Sequence, residues 1–134
     1  GKSLLLADYG WDAYSATLDT TREMVEESPE VVQKMVAATA EGWKAYFENP
    51  EAANKLIKED NPEMQDDLLA YSHAKMQEEE MLLSGAAEGG RYGMMTLERW
   101  KAFFDDMVAA ETLPADLDWQ KAFDLTFVNE IYGK

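Results

Sequence analysis

An aromatic cluster near the N-terminus is the first feature of the sequence that could contact a ligand. Tyr9 and Trp11 flank Gly10, and Tyr14 follows three residues later. The cluster comes after the apolar run 4–7, which is predicted to be a short buried strand because a turn signal ends it. Ligands of open α/β sheets bind outside the carboxyl ends of the strands, and aromatic faces stack on planar solutes. Tyr9, Gly10 and Trp11 are therefore candidate ligand-binding residues; the alternative is that these rings only cover the core.

Residues that usually carry catalysis or bind metals are few and isolated. The chain has no cysteine and a single histidine, His73, which has no partner at the spacing of a metal or catalytic motif. None of the acidic runs has the alternating oxygen ligands and central glycine of a calcium loop, so a solvated face is the better interpretation. The sequence therefore predicts no enzyme activity, no catalytic residue, no metal site and no cofactor.

Four glycines between residues 84 and 95 invite comparison with phosphate-binding loops. Their spacing fits neither the dinucleotide nor the Walker pattern, and no predicted strand precedes them. This segment is therefore predicted to be a flexible connector without internal apolar periodicity.

Charge and composition exclude several classes of partner. The 134 residues include 12 Lys and Arg against 27 Asp and Glu, a net charge of −15 that repels nucleic-acid phosphates and anionic lipid. A hydrophobic content of 46% is too high for a disordered chain. The length is that of one domain or a part of one. The N-terminal apolar run is far too short for a signal peptide or a membrane span.

Hydrophobic periodicity predicts about five helices after residue 21. Three of them begin with nearly the same residues, at Ser28, Asn49 and Asn61, each followed by Pro and Glu. The Ser or Asn side chain can cap the helix, Pro fits the first turn, and Glu faces the positive end of the helix dipole. A fourth helix, with the strongest apolar stripe, is predicted from Thr96 and a fifth from Asp118. The predicted organisation is a strand and loop segment (1–21), helices (22–83), a Gly-rich loop (84–95) and helices (96–133).

The predicted fold class is mainly α with one or two short strands, at 4–7 and within 14–21. Strands this short are marginal without partners. Their sheet is expected to come either from a second copy or from residues outside this chain.

Three stretches of the sequence carry a family resemblance in their order and spacing. Residues 7–14 are similar to a Gly-x-x-x-Tyr passage from a strand into a loop. Residues 27–53 contain Pro-Glu-x-Val, Gly-Trp and Asn-Pro-Glu-Ala-Ala, and the third stretch covers 95–129. Together they resemble the C-terminal part of the periplasmic solute-binding proteins of ABC importers in the nitrate, sulfonate, taurine and thiamine-precursor class, which includes proteins like thiamine-pyrimidine synthases.

The resemblance implies a type II periplasmic-binding-protein α/β fold, in which two lobes close on a small solute and deliver it to an ABC permease. Residues 1–134 would form a single partial domain, the C-terminal half of such a protein, with a periplasmic location. Tyr9, Gly10 and Trp11 would lie at the edge of the solute cleft. Two positions depart from the family pattern: Trp11 and the following Asp stand where pyrimidine binders often have an apolar residue and Pro, and Glu111 stands where a helix-ending Gly is common.

Two other functions stay open at this point. The chain could be a helical interaction module that forms a homo-oligomer through pairing of residues 4–7 with a second copy. Alternatively it could be an enzyme similar to the pyrimidine synthases, in which a histidine is consumed, and His73 would then be the residue used.

Overall fold

The chain folds into helices joined by short turns. The computed structural model describes residues 4, 6–11, 13–14 and 16–133. The α-helices of this part of the chain are α1 (Arg22–Glu27), α2 (Pro29–Glu48), α3 (Glu51–Asp60), α4 (Asp66–Glu78), α5 (Leu97–Ala109) and α6 (Thr126–Tyr132). Short 3-10 helices form at Leu6–Tyr9, Gly85–Ala87 and Trp119–Ala122. The mainly α class is confirmed, and none of the described residues forms a β-strand.

The described residues of the strand predicted at 4–7, which are 4, 6 and 7, show no strand. Leu6–Tyr9 forms a 3-10 helix, in which the N–H groups of Gly10 and Trp11 donate to the carbonyl oxygens of Ala7 and Leu6 at 3.1 Å. An isolated strand leaves its backbone groups without partners, so local bonds replace the absent sheet. The described residues within 14–21 also take no part in strand pairing.

Two of the three predicted helix starts are correct to within two residues. The α2 helix begins at Pro29, although the Ser28 side chain makes no capping bond. Asn49 Oδ1 accepts a hydrogen bond from the N–H of Glu51 at 3.1 Å, where α3 begins. Each start therefore follows the proline and glutamate signal of the sequence.

The third start signal forms a turn instead of a helix. Asn61 Oδ1 accepts from the N–H of Glu63, and the N–H of Met64 donates back to the Asn61 carbonyl oxygen at 3.0 Å. These bonds close the chain on itself, and α4 begins only at Asp66. Asx turns and helix caps use the same side-chain chemistry, which is why the sequence pattern does not separate them.

A short helix that periodicity did not reveal precedes α2. Thr21 Oγ1 caps α1 by accepting from the N–H of Met24 at 3.1 Å. The helix has six residues, fewer than two turns, which is too short for a hydrophobic stripe to be recognised.

The helix predicted from Asp118 is divided in two. Phe123 has an extended backbone between the 3-10 helix and α6, and its ring stacks on Trp100 with centroids 4.7 Å apart. Asp124 Oδ1 then accepts from the N–H of Thr126 at 2.8 Å and starts α6. A tertiary aromatic contact therefore overrides the local helical preference.

The longest helix, α2, lies at the centre of the packing. It contacts α1 and α6, and Val32 and Ala40 of α2 are buried with Val128 of α6. Gln33 of α2 adds a polar link, donating through Nε2 to the carbonyl oxygen of Phe127 at 3.1 Å. The core of the described residues is therefore a small set of helix contacts around α2.

The surface of the molecule is larger than its mass requires. It exposes 10052 Å², whereas a compact monomer of this mass exposes about 7,100 Å² by the usual scaling of surface with mass. Large apolar side chains lie in solvent on several elements, among them Leu6, Met35, Leu56, Leu68, Tyr71 and Met81. The helices thus leave apolar surface that they cannot cover by themselves.

Helices α4 and α5 end in the same unusual way. Glu80 (φ +47°) and Glu111 (φ +56°) have left-handed backbone conformations at the position after each helix cap. The N–H of Met81 bonds to the Met76 carbonyl oxygen at 3.1 Å, and the N–H of Thr112 bonds to that of Met107 at 2.9 Å. This is the Schellman arrangement, in which glycine is the usual residue.

Replacing either glutamate with glycine should stabilise the chain. We expect Glu80→Gly and Glu111→Gly each to raise the free energy of unfolding by about 1 kcal/mol, because glycine adopts this conformation without the steric cost of Cβ. Urea unfolding followed by circular dichroism measures the change. Glu→Gln at each site removes the charge and keeps Cβ; an equal gain from Gln and Gly would refute the backbone explanation.

The C-terminal helix is tied to the Gly-rich segment by a tyrosine. Tyr132 donates its hydroxyl hydrogen to the carbonyl oxygen of Tyr92 at 3.1 Å. Burial raises the pKa of the Tyr132 phenol above its ordinary value of 10.0, and the charges of the Glu41 and Tyr92 side chains act in the same direction, outweighing the opposite effect of the hydrogen bond to the Tyr92 backbone. The folded state therefore holds this proton more tightly than the unfolded chain does.

This tyrosine should contribute to a loss of stability at alkaline pH. Its stabilising contribution is complete below pH 10, the ordinary phenol value, and is lost as the pH rises through the raised folded-state pKa. We expect Tyr132→Phe to lower the stability at neutral pH and to flatten its decline above pH 10, as measured by urea unfolding between pH 8 and 11. Tyr71→Phe, which removes an exposed hydroxyl, is the control. Parallel pH profiles for Tyr132→Phe and the unmodified chain would contradict this.

Candidate functional site

The predicted ligand-binding residues lie together on the surface. The name "aromatic loop" is used for Tyr9, Gly10, Trp11, Ala13 and Tyr14. Tyr9 is 74% exposed and Trp11 49% exposed, one on each side of Gly10 in the chain. Gly10 has φ +91°, a conformation that requires glycine, and open space surrounds it. The loop therefore presents two aromatic rings and an accessible stretch of backbone to solvent.

Helix α5 holds the aromatic loop in place. The edge of Trp11 meets the ring of Phe103 with centroids 5.5 Å apart. The hydroxyl of Tyr14 accepts a hydrogen bond from the N–H of Thr96 at 2.9 Å, at the residue that caps α5. The backbone N–H at the N-cap of α5 thus has its hydrogen-bond acceptor in a tyrosine from a remote part of the chain.

Arg99 makes a second attachment between α5 and the loop. Its guanidinium lies over the Tyr14 ring, 4.3 Å from the centroid, and donates to the carbonyl oxygen of Ala13 at 3.3 Å. Cation–π contacts of this kind contribute about 0.5–1 kcal/mol when exposed and more when desolvated. Together with Thr96, Arg99 fixes the C-terminal side of the loop.

A tryptophan of α5 packs against the aromatic loop. Trp100 packs against Tyr14 with ring centroids 5.4 Å apart and stacks on Phe123 on its other side. Its indole Nε1 is buried without a hydrogen-bond partner in the described part of the molecule. A buried donor left in this way costs about 1–3 kcal/mol, so Trp100 is kept for its packing at a polar cost.

The geometry supports stacking and backbone contacts, not bond chemistry. Tyr9 and Trp11 can lie against a planar or apolar solute, and the backbone at Gly10 can approach it closely. The charged side chain with described contacts to the loop, Arg99, already bonds the loop itself. The site as described is therefore an edge that a solute could contact, not an enclosed pocket.

His73 lies elsewhere, in the contact between α4 and α2. Its Nε2 is 3.2 Å from the carbonyl oxygen of Tyr46, and the rings of Tyr46 and Phe47 lie 5.2 and 5.6 Å from the imidazole. These contacts tie the two helices together. They do not connect His73 with the aromatic loop.

The acidic runs bring no metal site together in the part of the chain that the structure describes. No cluster of three or more His, Asp or Glu side chains there could hold a metal ion. Several of the acids instead pair with lysines of the same or an adjacent helix, as Lys58 does with Asp66 at 2.6 Å and Lys101 with Asp105 at 2.6 Å.

The described helices differ from membrane spans in length or hydropathy. None of them is both long enough and apolar enough to cross a bilayer.

Two residues of the site were missed by sequence reasoning. Thr96 was predicted only as a helix start, and Arg99 was assigned no role. Both act on residues more than 80 positions away, and no local pattern signals such contacts. Only the position of Thr96 as an N-cap could be predicted, and its side chain does accept from the N–H of Arg99 at 3.2 Å.

Comparison with known proteins supports the resemblance over the N-terminal part. Residues 1–53 match the family described as NMT1/THI5 like, which corresponds to the nitrate, sulfonate and thiamine-precursor binding proteins. The match includes the aromatic loop and residues 27–53, two of the three stretches that carry the resemblance, whereas the stretch 95–129 lies outside it. Searches of curated proteins and of solved structures gave no significant match.

The attachment of the loop can be tested at a single amide. We expect Tyr14→Phe to raise the hydrogen-exchange rate of the Thr96 N–H by about fivefold, because the variant removes the oxygen that accepts its hydrogen bond. Exchange measured by NMR on the 134-residue chain gives the rate directly. Tyr9→Phe removes an exposed hydroxyl of the same loop and should leave it unchanged. An unaltered Thr96 rate in Tyr14→Phe would show that the bond does not hold the loop.

Proposed function

We propose that this chain is the C-terminal part of the solute-binding component of an ABC importer. In this role it helps to capture a small nitrogenous, sulfur-containing or thiamine-precursor solute in the periplasm and to deliver it to the permease. It binds without catalysis, cofactor or metal. The single observation that carries the proposal is the family match over residues 1–53, which includes the exposed aromatic loop.

The incomplete burial of the molecule supports an origin in a larger protein. The exposed surface exceeds that of a compact monomer by about 3,000 Å², more than the roughly 600–1,500 Å² of a usual interface between domains. A second α/β lobe and the rest of a sheet would cover such a surface. In that setting residues 4–7 would find neighbouring strands and could form the strand that the isolated chain does not form.

The aromatic loop would form one edge of the solute cleft. Its exposed rings, Tyr9 and Trp11, provide stacking faces, and Gly10 allows close approach of the backbone. Arg99 and Thr96 hold the loop on α5, so the contact surface is organised before the solute arrives. Most other contacts would come from the segments that complete the two lobes.

The alternative functions find less support in the geometry. Pairing of residues 4–7 with a second copy would require Leu6–Tyr9 to leave its 3-10 conformation, and unlike solute binding it has no support from the family match. A synthase that consumes its histidine needs that residue at the solute, whereas the contacts of His73 are with Tyr46 and Phe47. We therefore favour binding over both.

The proposal is tested on the protein encoded by the complete reading frame that contains this chain. A thermal-shift screen against nitrate, taurine, an alkanesulfonate and an aminopyrimidine should find a solute that raises the melting temperature with the logarithm of its concentration. Tyr9→Ala and Trp11→Ala should each weaken its binding by about tenfold, since each removes a large stacking surface.

Tyr71→Ala is the matched control, because Tyr71 is 59% exposed on α4, outside the aromatic loop. It should bind the solute as the unmodified protein does. Chemical turnover without stabilisation by any solute would reject the binding function. Solute binding that both loop variants leave intact would reject the role of the loop while leaving the binding function in place.

A further inference from the structure

A surface recess that shares no residue with the aromatic loop opens near the ends of α2 and α4. It has a volume of about 270 Å³ and lies between the end of α2, the end of α4 and the Gly-rich segment. Its apolar walls are Phe47, Met76, Leu83 and Tyr92, and its polar groups are Gln77 and Glu80. We call it the α4 cleft.

The aromatic walls of the α4 cleft are fixed by their own contacts. Tyr92 is only 7% exposed, and its ring lies 5.9 Å from that of Phe47. The Tyr92 carbonyl accepts the hydroxyl hydrogen of Tyr132, and Phe47 packs on His73 from the other side. A ligand would therefore meet a preformed surface and would not have to order these rings on binding.

The cleft has one carboxylate that no described lysine or arginine neutralises. Lys75 pairs with Glu78 at 2.5 Å and with Glu79 at 3.7 Å, whereas no ion pair forms at Glu80 within the described residues. Beside it, Gln77 donates through Nε2 to the Phe47 carbonyl oxygen at 3.4 Å, which leaves its Oε1 as an acceptor. Both polar groups of the cleft can thus accept hydrogen bonds from a donor ligand.

The left-handed backbone of Glu80 does not by itself indicate a ligand, since Glu111 has the same conformation at the end of α5. The two glutamates differ in their surroundings, because only Glu80 lines this cleft. Substitutions at Glu80 and Glu111 can therefore separate the effect of the backbone conformation on ligand binding from the effect of the cleft.

We infer that the α4 cleft binds an organic cation, a primary ammonium group carried on a single aromatic ring or a branched aliphatic body. The solvent-exposed Glu80 carboxylate and Gln77 oxygen receive the ammonium hydrogens, and Phe47, Met76 and Tyr92 line the side of the open cleft against which the apolar body packs. The size agrees, because an engineered cavity of about 150 Å³ holds benzene and this cleft offers space for a ring with a short chain. The chain's net charge of −15 favours a cationic ligand over an anionic one. The site goes beyond the proposed solute cleft and shares no residue with it.

The probe for this site is 2-phenylethylammonium, with the neutral isostere 2-phenylethanol as its partner. Titration of the 134-residue chain, followed by ¹⁵N NMR, should give saturable shifts of the amides of Phe47, Met76, Leu83 and Tyr92. The alcohol should bind at least about fivefold more weakly, since hydrogen bonds to charged groups exceed neutral ones by about 1 kcal/mol.

Variants at the two glutamates test whether the Glu80 carboxylate binds the ammonium group. Glu80→Gln and Glu80→Gly should each raise the dissociation constant of 2-phenylethylammonium at least fivefold. Glu111→Gly relieves the same backbone strain outside the cleft and should leave that constant unchanged. Because the glycine variants are expected to be more stable than the parent chain, a loss of binding at Glu80 would not reflect unfolding.

The inference would be overturned by any of three results: no saturable shifts with 2-phenylethylammonium, equal affinities for the ammonium and the alcohol, or unchanged affinity in both Glu80 variants. A negative outcome here leaves the proposed function intact, because that function rests on the aromatic loop and the family match.

Discussion

The helices of this chain bury only part of their apolar surface against one another, because no sheet lies beneath them in the described residues. Val32, Ala40 and Val128 form the centre of the packing around α2, while apolar side chains such as Leu56 and Leu68 stay in solvent. Burial contributes about 25 cal/mol per Å², so the uncovered surface represents stabilisation that a further part of the protein could supply. This constraint explains both the missing strand and the large surface.

Contacts between aromatic rings join several elements of the described structure, which contains no sheet. Trp100 joins the aromatic loop to the C-terminal segment, because it packs on Tyr14 at one face and stacks on Phe123 at the other. A second cluster of Tyr46, Phe47 and His73 joins α2 to α4. The first cluster supports the proposed solute edge, and Phe47 of the second lines the α4 cleft. The two proposed sites thus depend on two separate groups of rings.

Local signals in the sequence predicted the long helices well. The starts of α2, α3 and α5 follow from Pro, Glu and a capping Thr, and their stripes follow from the apolar period. The errors arise where a distant contact decides the conformation. Phe123 leaves the helix to stack on Trp100, and residues 4–7 lack the strand partners that their apolar pattern anticipates.

Only part of the candidate site could be predicted from the sequence, because some of its contacts join distant parts of the chain. An aromatic–glycine–aromatic sequence after an apolar run is a local pattern, and in the structure Tyr9 and Trp11 are exposed on either side of Gly10. Their role in ligand binding stays a prediction. The attachment by Thr96 and Arg99 depends on chain positions more than 80 residues away, which no periodicity reveals.

We propose that this chain is one part of a larger protein whose other segments cover its exposed faces. Amide hydrogen exchange, measured on the 134-residue chain and on the protein from the complete reading frame, tests it most directly. We expect amides of α3 and of residues 6–11 to exchange at least about tenfold more slowly in the complete protein, because burial raises the free energy of local opening. Equal exchange rates for these amides in the two proteins would contradict it.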